Sequence, residues 1–401
     1  MTTTVNNEHK NIKVPNLRFP EFEGEWKKCK LGNIAIVVGG GTPDTNTSQY
    51  WNGKIQWFTP SEIGRNKYVD NSVRTISEEG LNKSSAKLLP IGTILLSSRA
   101  TVGECSINKK ECTTNQGFQS LIPKENISNE FVYYLIQTKR KDLIRKSCGS
   151  TFLEISANEV RKIVISIPTI KEQDKIANVL SLLDERIATQ NKIIDKLQSL
   201  IKGFNQYVFT NSGVNYKLGE VCEIKSGYSG NQLLSKKGLK VSRIETISGH
   251  KVNMERVGYV APFESSENYR LRVGDILFSN INSVEYIGNT AFIDKDYDLY
   301  HGMNLLRLTP NNMVVIPFYL YLLLNTNRML NRFKTVCNKA VSQASINQTE
   351  LGKTVVQIPD INAQEQICKF YQALYDKLES EKNANSLFQK QKQYLLRQMF
   401  I

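Results

Sequence analysis

Ile167-Pro168-Thr169-Ile170-Lys171-Glu172-Gln173 is followed, at an offset of 191 residues (358 minus 167), by Ile358-Pro359-Asp360-Ile361-Asn362-Ala363-Gln364. The offset holds without a gap to Phe209 and Phe400, and backwards to Ile155 and Ile346. A period of this size marks a duplicated unit. After the first copy, Ile176, Leu180, Leu183, Ile187, Gln190, Ile194, Leu197, Ile201, Phe204 and Val208 alternate steps of four and three. That is a heptad seam with one polar member, preceded by Pro168 where proline is tolerated. The second copy places Ile367, Tyr371, Leu374, Leu378, Glu381, Asn385, Phe388, Lys392, Leu395 and Met399 on its seam, with a more polar middle. A helix of about 40 residues is about 60 Å long and needs a partner for its apolar stripe. Two pairings are open. The helices can pack antiparallel within the chain, which their high effective concentration favours, or each can meet a helix of another subunit.

Upstream of each helix the match continues with loops of different length. Ile91-Gly92-Thr93-Ile94-Leu95-Leu96-Ser97-Ser98 is similar to Val273-Gly274-Asp275-Ile276-Leu277-Phe278-Ser279-Asn280, and Lys30-Leu31-Gly32 to Lys217-Leu218-Gly219. Each half therefore reads as a variable α/β domain followed by a regular helix. Strands are expected at 33–38, 55–58, 93–97 and 119–122, with a helix over 129–146. In the second half they are expected at 240–244, 275–278 and 304–308, with a helix over 317–336. The most apolar run, Met313 to Leu324, is too short for a bilayer, which takes about 20 residues, and reads as a buried helix.

The net charge of +14 over 401 residues points to a polyanion, with nucleic acid ahead of an anionic membrane surface. Seven cysteines, none in a C-x-x-C pair, and three histidines give no zinc-ligand spacing. They read as idle thiols in a reducing, cytoplasmic setting. Met1 to Lys13 is mostly polar, so no secretory leader is expected.

Catalytic motifs are missing. There is no phosphate loop, and Gly39-Gly40-Gly41-Thr42-Pro43 lacks its lysine, reading instead as a turn that allows close backbone approach. No Asn-Pro-Pro-Tyr-like tetrapeptide and no strand-to-helix glycine fingerprint for dinucleotide or S-adenosylmethionine binding are present. One chance Glu223-Ile224-Lys225 does not make a metal-dependent nuclease. No catalytic and no metal-ligating residue is therefore assigned.

The ordered, duplicated set resembles the specificity subunits of type I restriction–modification systems over nearly the whole chain. The motifs that carry it are the two Ile-Pro-x-x-x-x-Gln stretches with their helices, Gly41-Thr42-Pro43, Ser98-Arg99-Ala100-Thr101-Val102-Gly103, Thr114-Asn115-Gln116-Gly117 and Gly149-Ser150-Thr151. The second half departs from them, with Asn280-Ile281-Asn282 and Tyr300-His301-Gly302 set against Ser98-Arg99 and Asn115-Gln116-Gly117. The resemblance implies an α/β (α+β) fold: two pseudo-symmetric target-recognition domains separated by two long helices packed as an antiparallel coiled coil. The segments are 1–166 and 211–357 for the domains and 167–210 and 358–401 for the spacer helices. It further implies a bipartite, asymmetric double-stranded DNA target with the coil fixing the gap between half-sites. Two methyltransferase subunits would dock on the coil and two restriction–translocase subunits would join them. This chain would bind no cofactor; S-adenosylmethionine, ATP and magnesium would sit on those partners. Half-sites lie about 34–36 Å or more apart, a distance a stiff coil can set and a flexible linker cannot.

Base reading needs donors and acceptors on loops: Arg for guanine, Asn or Gln for adenine, Ser or Thr more flexibly. In the first domain the candidates are Thr42, Thr59, Ser61, Ser98, Arg99, Thr101, Asn115, Gln116, Ser150 and Thr151. In the second they are Tyr228, Arg243, Glu245, Asn280, Asn282, Tyr300, His301, Asn304, Gln343 and Ser345, partly by positional equivalence. Turn capping is the competing role for Asn115, Gln116 and Ser98. Lys139-Arg140-Lys141 and Arg145-Lys146 are candidates for phosphate contact or for a solvated helix face. The coil and partner positions are Ile176, Leu180, Leu183, Ile187, Ile194, Leu197, Ile201, Ile367, Leu374, Leu378, Phe388 and Leu395. Two other classes remain: a self-sufficient methyltransferase–nuclease, which the missing motifs oppose, and a coiled-coil protein binding DNA without sequence preference.

Overall fold

The computed structural model describes residues 13–149, 153–209, 213–247, 249–339 and 343–401. The candidates Ser150 and Thr151 lie outside them. Two helices of 38 residues, Ile170–Tyr207 and Ile361–Gln398, run through the chain. The chain divides into two compact units. One holds residues up to Asn191 together with Asn383–Ile401, the other Lys192–Lys382. Each unit thus combines a globular domain, part of the helix that follows it, and part of the other long helix.

The helices pack antiparallel inside each unit. In the first, Asp184 meets Lys392 at 2.6 Å, the Arg186 guanidinium lies 5.2 Å from the Phe388 ring centroid, and the Asn385 amide donates to Asn191 at 2.8 Å. In the second, Phe204 and Phe370 meet edge to face at 4.9 Å. Every seam position named from the heptad spacing is buried or half-buried, including the polar Gln190. The pairing is therefore within the chain.

The duplicated Ile-Pro-x-x-x-x-Gln motif explains the helix starts. The Gln173 side chain is buried; its amide donates to the Pro168 carbonyl at 3.0 Å and its oxygen accepts from the Ser128 N–H at 3.1 Å. Gln364 repeats this, donating to Pro359 at 2.9 Å and Val314 at 3.1 Å and accepting from Ile316 N–H at 2.8 Å. Ser128 and Ile316 are the N-cap residues of the domain helices Asn129–Thr138 and Pro317–Leu324. One buried amide in each unit therefore ties the start of the long helix to the start of the domain helix.

The first domain has a five-stranded sheet with the order Ala35–Gly39, Gln119–Pro123, Ile94–Leu96, Cys105–Asn108, Tyr68–Val69. A three-stranded sheet (Arg74–Ile76, Trp51–Phe58, Cys112–Thr114) stands beside it. The second domain has a four-stranded sheet ordered Cys222–Ser226, Leu305–Pro310, Ile276–Ser279, Thr290–Phe292. In both, a short ribbon closes the domain on the strand that enters the long helix: Lys27–Lys30 with Val164–Ile167, and Val214–Lys217 with Val355–Ile358. The first core joins Trp26, Phe131, Tyr134 and Leu135 to Ile176, Leu180 and Phe400, with Phe131 and Phe400 stacked at 5.2 Å. The second joins Phe278, Leu320 and Phe333 to Ile201, Tyr371 and Leu378.

Several expected boundaries move. The segment expected as a strand over 33–38 begins as the short helix Leu31–Ile34 and turns to strand at Ala35. The helix expected over 129–146 breaks at Lys139, whose φ of −92° and ψ of 5° leave helical geometry. The one expected over 317–336 breaks at Asn325–Thr326, because the Thr326 hydroxyl caps a new helix by accepting from Met329 N–H. The strand expected over 240–244 ends at Val241 and gives way to a tight 3-10 turn over Ile244–Ile247.

Candidate nucleic-acid interface

In the first domain the candidate loops converge on one end of the sheets through backbone hydrogen bonds. Gly41 N–H donates to Thr114 O at 2.8 Å, Asn115 N–H to Phe58 O at 3.0 Å, and Ser98 N–H to Gly117 O at 2.8 Å. This gathers Thr42, Thr59, Ser61, Ser98, Arg99, Thr101, Asn115 and Gln116. The Thr42 hydroxyl donates to the Gln116 side chain, and the Thr59 and Ser61 hydroxyls lie 3.1 Å apart. The glycine run does allow close approach, but to the chain itself: a Cβ on Gly40 would fall 2.0 Å from Asn115 O.

Ser61, Arg99, Thr101 and Gln116 are exposed, whereas Thr42, Thr59 and Asn115 are half-buried. Asn115 accepts from Gly117 N–H at 2.9 Å and so caps its own turn. Ser98 is a correction: it is fully buried, because the sheet ladder continues past Leu96 and turns its side chain inward. Arg99 follows it on the strand edge and pairs with Glu154 at 2.8 Å. Thr101 shares a 3.0 Å hydroxyl contact with Ser97, next to Ala100 at a φ of +58°.

The second domain arranges its candidates on the same frame. Tyr228 N–H donates to His301 O at 2.9 Å, and Ser242 N–H to Tyr300 O at 2.8 Å. The first bond repeats the Gly41–Thr114 bond of the first domain, so His301 is the counterpart of buried Thr114, not of exposed Gln116. Its ring is fully buried with Nε2 2.9 Å from Leu305 O. Burial pushes its pKa down to about 4, so at neutral pH it is an uncharged imidazole serving the fold. His301 and the largely buried Tyr300 therefore do not present their side chains to a ligand. Arg243, Glu245, Asn304 and Gln343 are exposed, and Tyr228, Asn280, Asn282 and Ser345 half-buried. Asn282 donates to Ser279 at 3.0 Å, and Arg243 lies 3.5 Å from Glu245.

Four of the five residues in the basic helix runs are already engaged, and Lys141 is exposed. Lys139 donates to Ile401 O, while Arg140, Arg145 and Lys146 pair with Glu104, Asp142 and Glu159. The first domain is fastened to its coil by Lys67 and Ser181 on Glu130 (2.9 and 2.8 Å) and by Tyr134 on Asp184 (2.7 Å). Burial raises the thiols of Cys105, Cys112 and Cys222 to about 12, leaving them protonated at neutral pH. Among the described residues no three His, Cys, Asp or Glu side chains converge as metal ligands, and no helix is long and apolar enough to cross a membrane. Sequence reasoning missed Glu154, although it lies one repeat offset from the nominated Ser345.

Two copies of one frame, each a loop-rich domain carried on a long helix, define a duplicated specificity module. The model of the type I restriction modification DNA specificity domain matches residues 23–199 and again 212–387. The chain belongs to this family, the specificity subunits of type I restriction–modification systems. It is 39% identical over 180 residues to the MjaIX specificity subunit of Methanocaldococcus jannaschii, a match spanning 43% of this chain and 42% of that protein. It is 35% identical over 175 residues to the EcoR124I/EcoR124II specificity subunit of Escherichia coli, spanning 42% and 43%. These matches thus span less than half the length of each relative. With the EcoKI specificity subunit of Escherichia coli it shares 24% identity over 359 residues, 80% of this chain and 76% of the other. The fold is similar to that of the specificity subunit from M. genitalium, with a TM-score of 0.62 at 17% identity over 97% of this chain and 99% of the other. It is also similar to a structure described under complex assembly and conformational transition of the type I system, with a TM-score of 0.61 at 19% identity, covering 92% and 96%.

Proposed function

We propose that this chain is the non-catalytic, DNA-reading subunit of a cytoplasmic type I restriction–modification enzyme. Its segments 1–166 and 211–357 each read one half of a bipartite, asymmetric duplex target, and the helices within 167–210 and 358–401 set the gap. The observation that carries this is the repeated frame with unlike side chains: Gly41 N–H on Thr114 O and Ile155 N–H on Ser98 O in one unit are matched by Tyr228 N–H on His301 O and Ile346 N–H on Asn280 O in the other, while the residues carried there, Ser98 and Arg99 against Asn280 and Ile281, differ. Equal frames with different hydrogen-bonding groups are what two different half-sites require. Each helix of 38 residues is about 57 Å long, a scale suited to spacing half-sites. Two adenine-methyltransferase subunits dock on the coil, two restriction–translocase subunits complete the nuclease, and S-adenosylmethionine, ATP and magnesium are held by those partners.

The test is selection from a random duplex pool by the purified complex of this chain with its neighbouring methyltransferase subunit. Enrichment of two fixed half-sites around a constant gap is expected. Equal retention of unrelated duplexes would instead favour a coiled-coil protein that binds DNA without sequence preference, the role its charge of +14 alone would support.

A further inference from the structure

Arg99 and Glu154 face each other across an antiparallel bridge, and their side chains pair at 2.8 Å. The bridge is held by the backbone: Ile155 N–H donates to Ser98 O at 3.0 Å, and Cys148 and Glu154 exchange both their backbone bonds at 2.9 Å. The second unit repeats this geometry. Ile346 N–H donates to Asn280 O at 2.9 Å, Ile281 pairs with Ser345, and Ser345 pairs in turn with Asn338. The position held by Arg99 and Glu154 is thus held by Ile281 and Ser345. Directly opposed residues of an antiparallel pair share a face, so each unit carries a two-residue patch on a frame that its side chains do not build.

The Arg–Glu pair adds little to stability. Both side chains are well exposed (45% and 39%), and exposed ion pairs contribute little. Its chemistry is that of base reading. A guanidinium fork matches guanine O6 and N7, and a carboxylate accepts from cytosine N4. Glu154 Oε1 lies 2.8 Å from Arg99 Nε, so the carboxylate stands against the guanidinium and limits where the fork can turn. Ile281 offers an apolar surface suited to the thymine methyl, and Ser345 a hydroxyl that can donate or accept.

We propose that these paired positions are a specificity-determining patch: Arg99 and Glu154 select a G·C pair in the first half-site, and Ile281 and Ser345 an A·T pair in the second. The assignment rests on the DNA-reading function proposed above. Glu154 acts as a positioning residue for Arg99 as well as an acceptor.

The experiment sequences the methylation motif written in cells by the full complex carrying the parent chain, R99I/E154S, or the reciprocal I281R/S345E. The parent motif contains two half-sites. In R99I/E154S, one G·C position of the first half-site loses its preference by about 5- to 150-fold, the range of one good bidentate base contact, while the gap and the second half-site are kept. In I281R/S345E, one A·T position of the second half-site shifts towards G·C. A bipartite parent motif that both variants leave unchanged, with the complexes assembled, overturns the patch and leaves the DNA-reading function standing. A parent complex that writes no bipartite motif overturns the function on which the patch rests. E154Q separates positioning from charge: it keeps the shape and an acceptor oxygen, so a motif identical to that of the parent is expected, and loss of the G·C preference would refute the claim that Glu154 acts through its accepting oxygen.

Discussion

The buried glutamines of the duplicated motif should carry measurable and unequal stability. Gln173→Met and Gln364→Met nearly preserve volume while removing the amide, so they isolate hydrogen bonding from cavity formation. Gln173 makes two side-chain bonds and Gln364 three, at 0–1% exposure. At about 1 kcal/mol net per buried bond, the costs are about 2 and about 3 kcal/mol. The unpaired Ser128 or Ile316 N–H adds to each, because an orphaned buried donor keeps its full desolvation cost. The assay is urea unfolding read by two probes. All three tryptophans, Trp26, Trp51 and Trp57, lie in the first unit, so their fluorescence follows that unit, while far-UV circular dichroism follows both. Gln173→Met should move the fluorescence midpoint, and Gln364→Met chiefly the dichroism trace. Changes below about 0.5 kcal/mol in both variants would refute the claim that these amides tie the long helices to their domains.

Two further predictions concern one unit each. Glu172 is buried and accepts from Arg18 Nε and Nη2 (both 2.8 Å) and Trp26 Nε1 (3.1 Å). Glu172→Ala removes the acceptor of the Trp26 indole N–H and two bonds of the partly buried Arg18 guanidinium, which keeps only the Glu23 and Gly24 carbonyls, and should cost about 2 kcal/mol in the fluorescence-detected transition; Ala363 at the matching place makes this clamp specific to the first unit. His301 has its pKa lowered by burial to about 4, against about 6.5 unfolded. Protonation therefore favours unfolding: its contribution is whole above pH 6.5 and is lost as pH falls towards 4. Between pH 7 and 5 this amounts to about 2 kcal/mol, and the difference in pH slope between the parent and His301→Gln in urea titrations should show it.

The architecture was legible because its signals are long-range and redundant. The heptad seam fixed which residues of both helices turn inward, and the 191-residue offset identified the two copies, although each compact unit includes part of the other copy's long helix. The short elements were less legible. A local hydroxyl cap at Thr326 divides the stretch expected as one helix over 317–336. In the candidate interface, residue type and loop position selected the candidates but did not show which of their side chains face outward. Ser98 and His301 were nominated as polar loop residues, yet the ladder runs on past Leu96 in one unit and the alignment shifts by two residues around His301 in the other. Glu154 escaped because a lone glutamate before an apolar stretch has no local signature; only its pairing with Arg99 gives it meaning.

The central claim is most directly tested by the methylome of a host free of other DNA methylation, expressing this chain with its neighbouring methyltransferase subunit. The account predicts one bipartite motif with a constant central gap, present only when this chain is present. An assembled complex that writes no modification, or a motif unaffected by removing this chain, would contradict it.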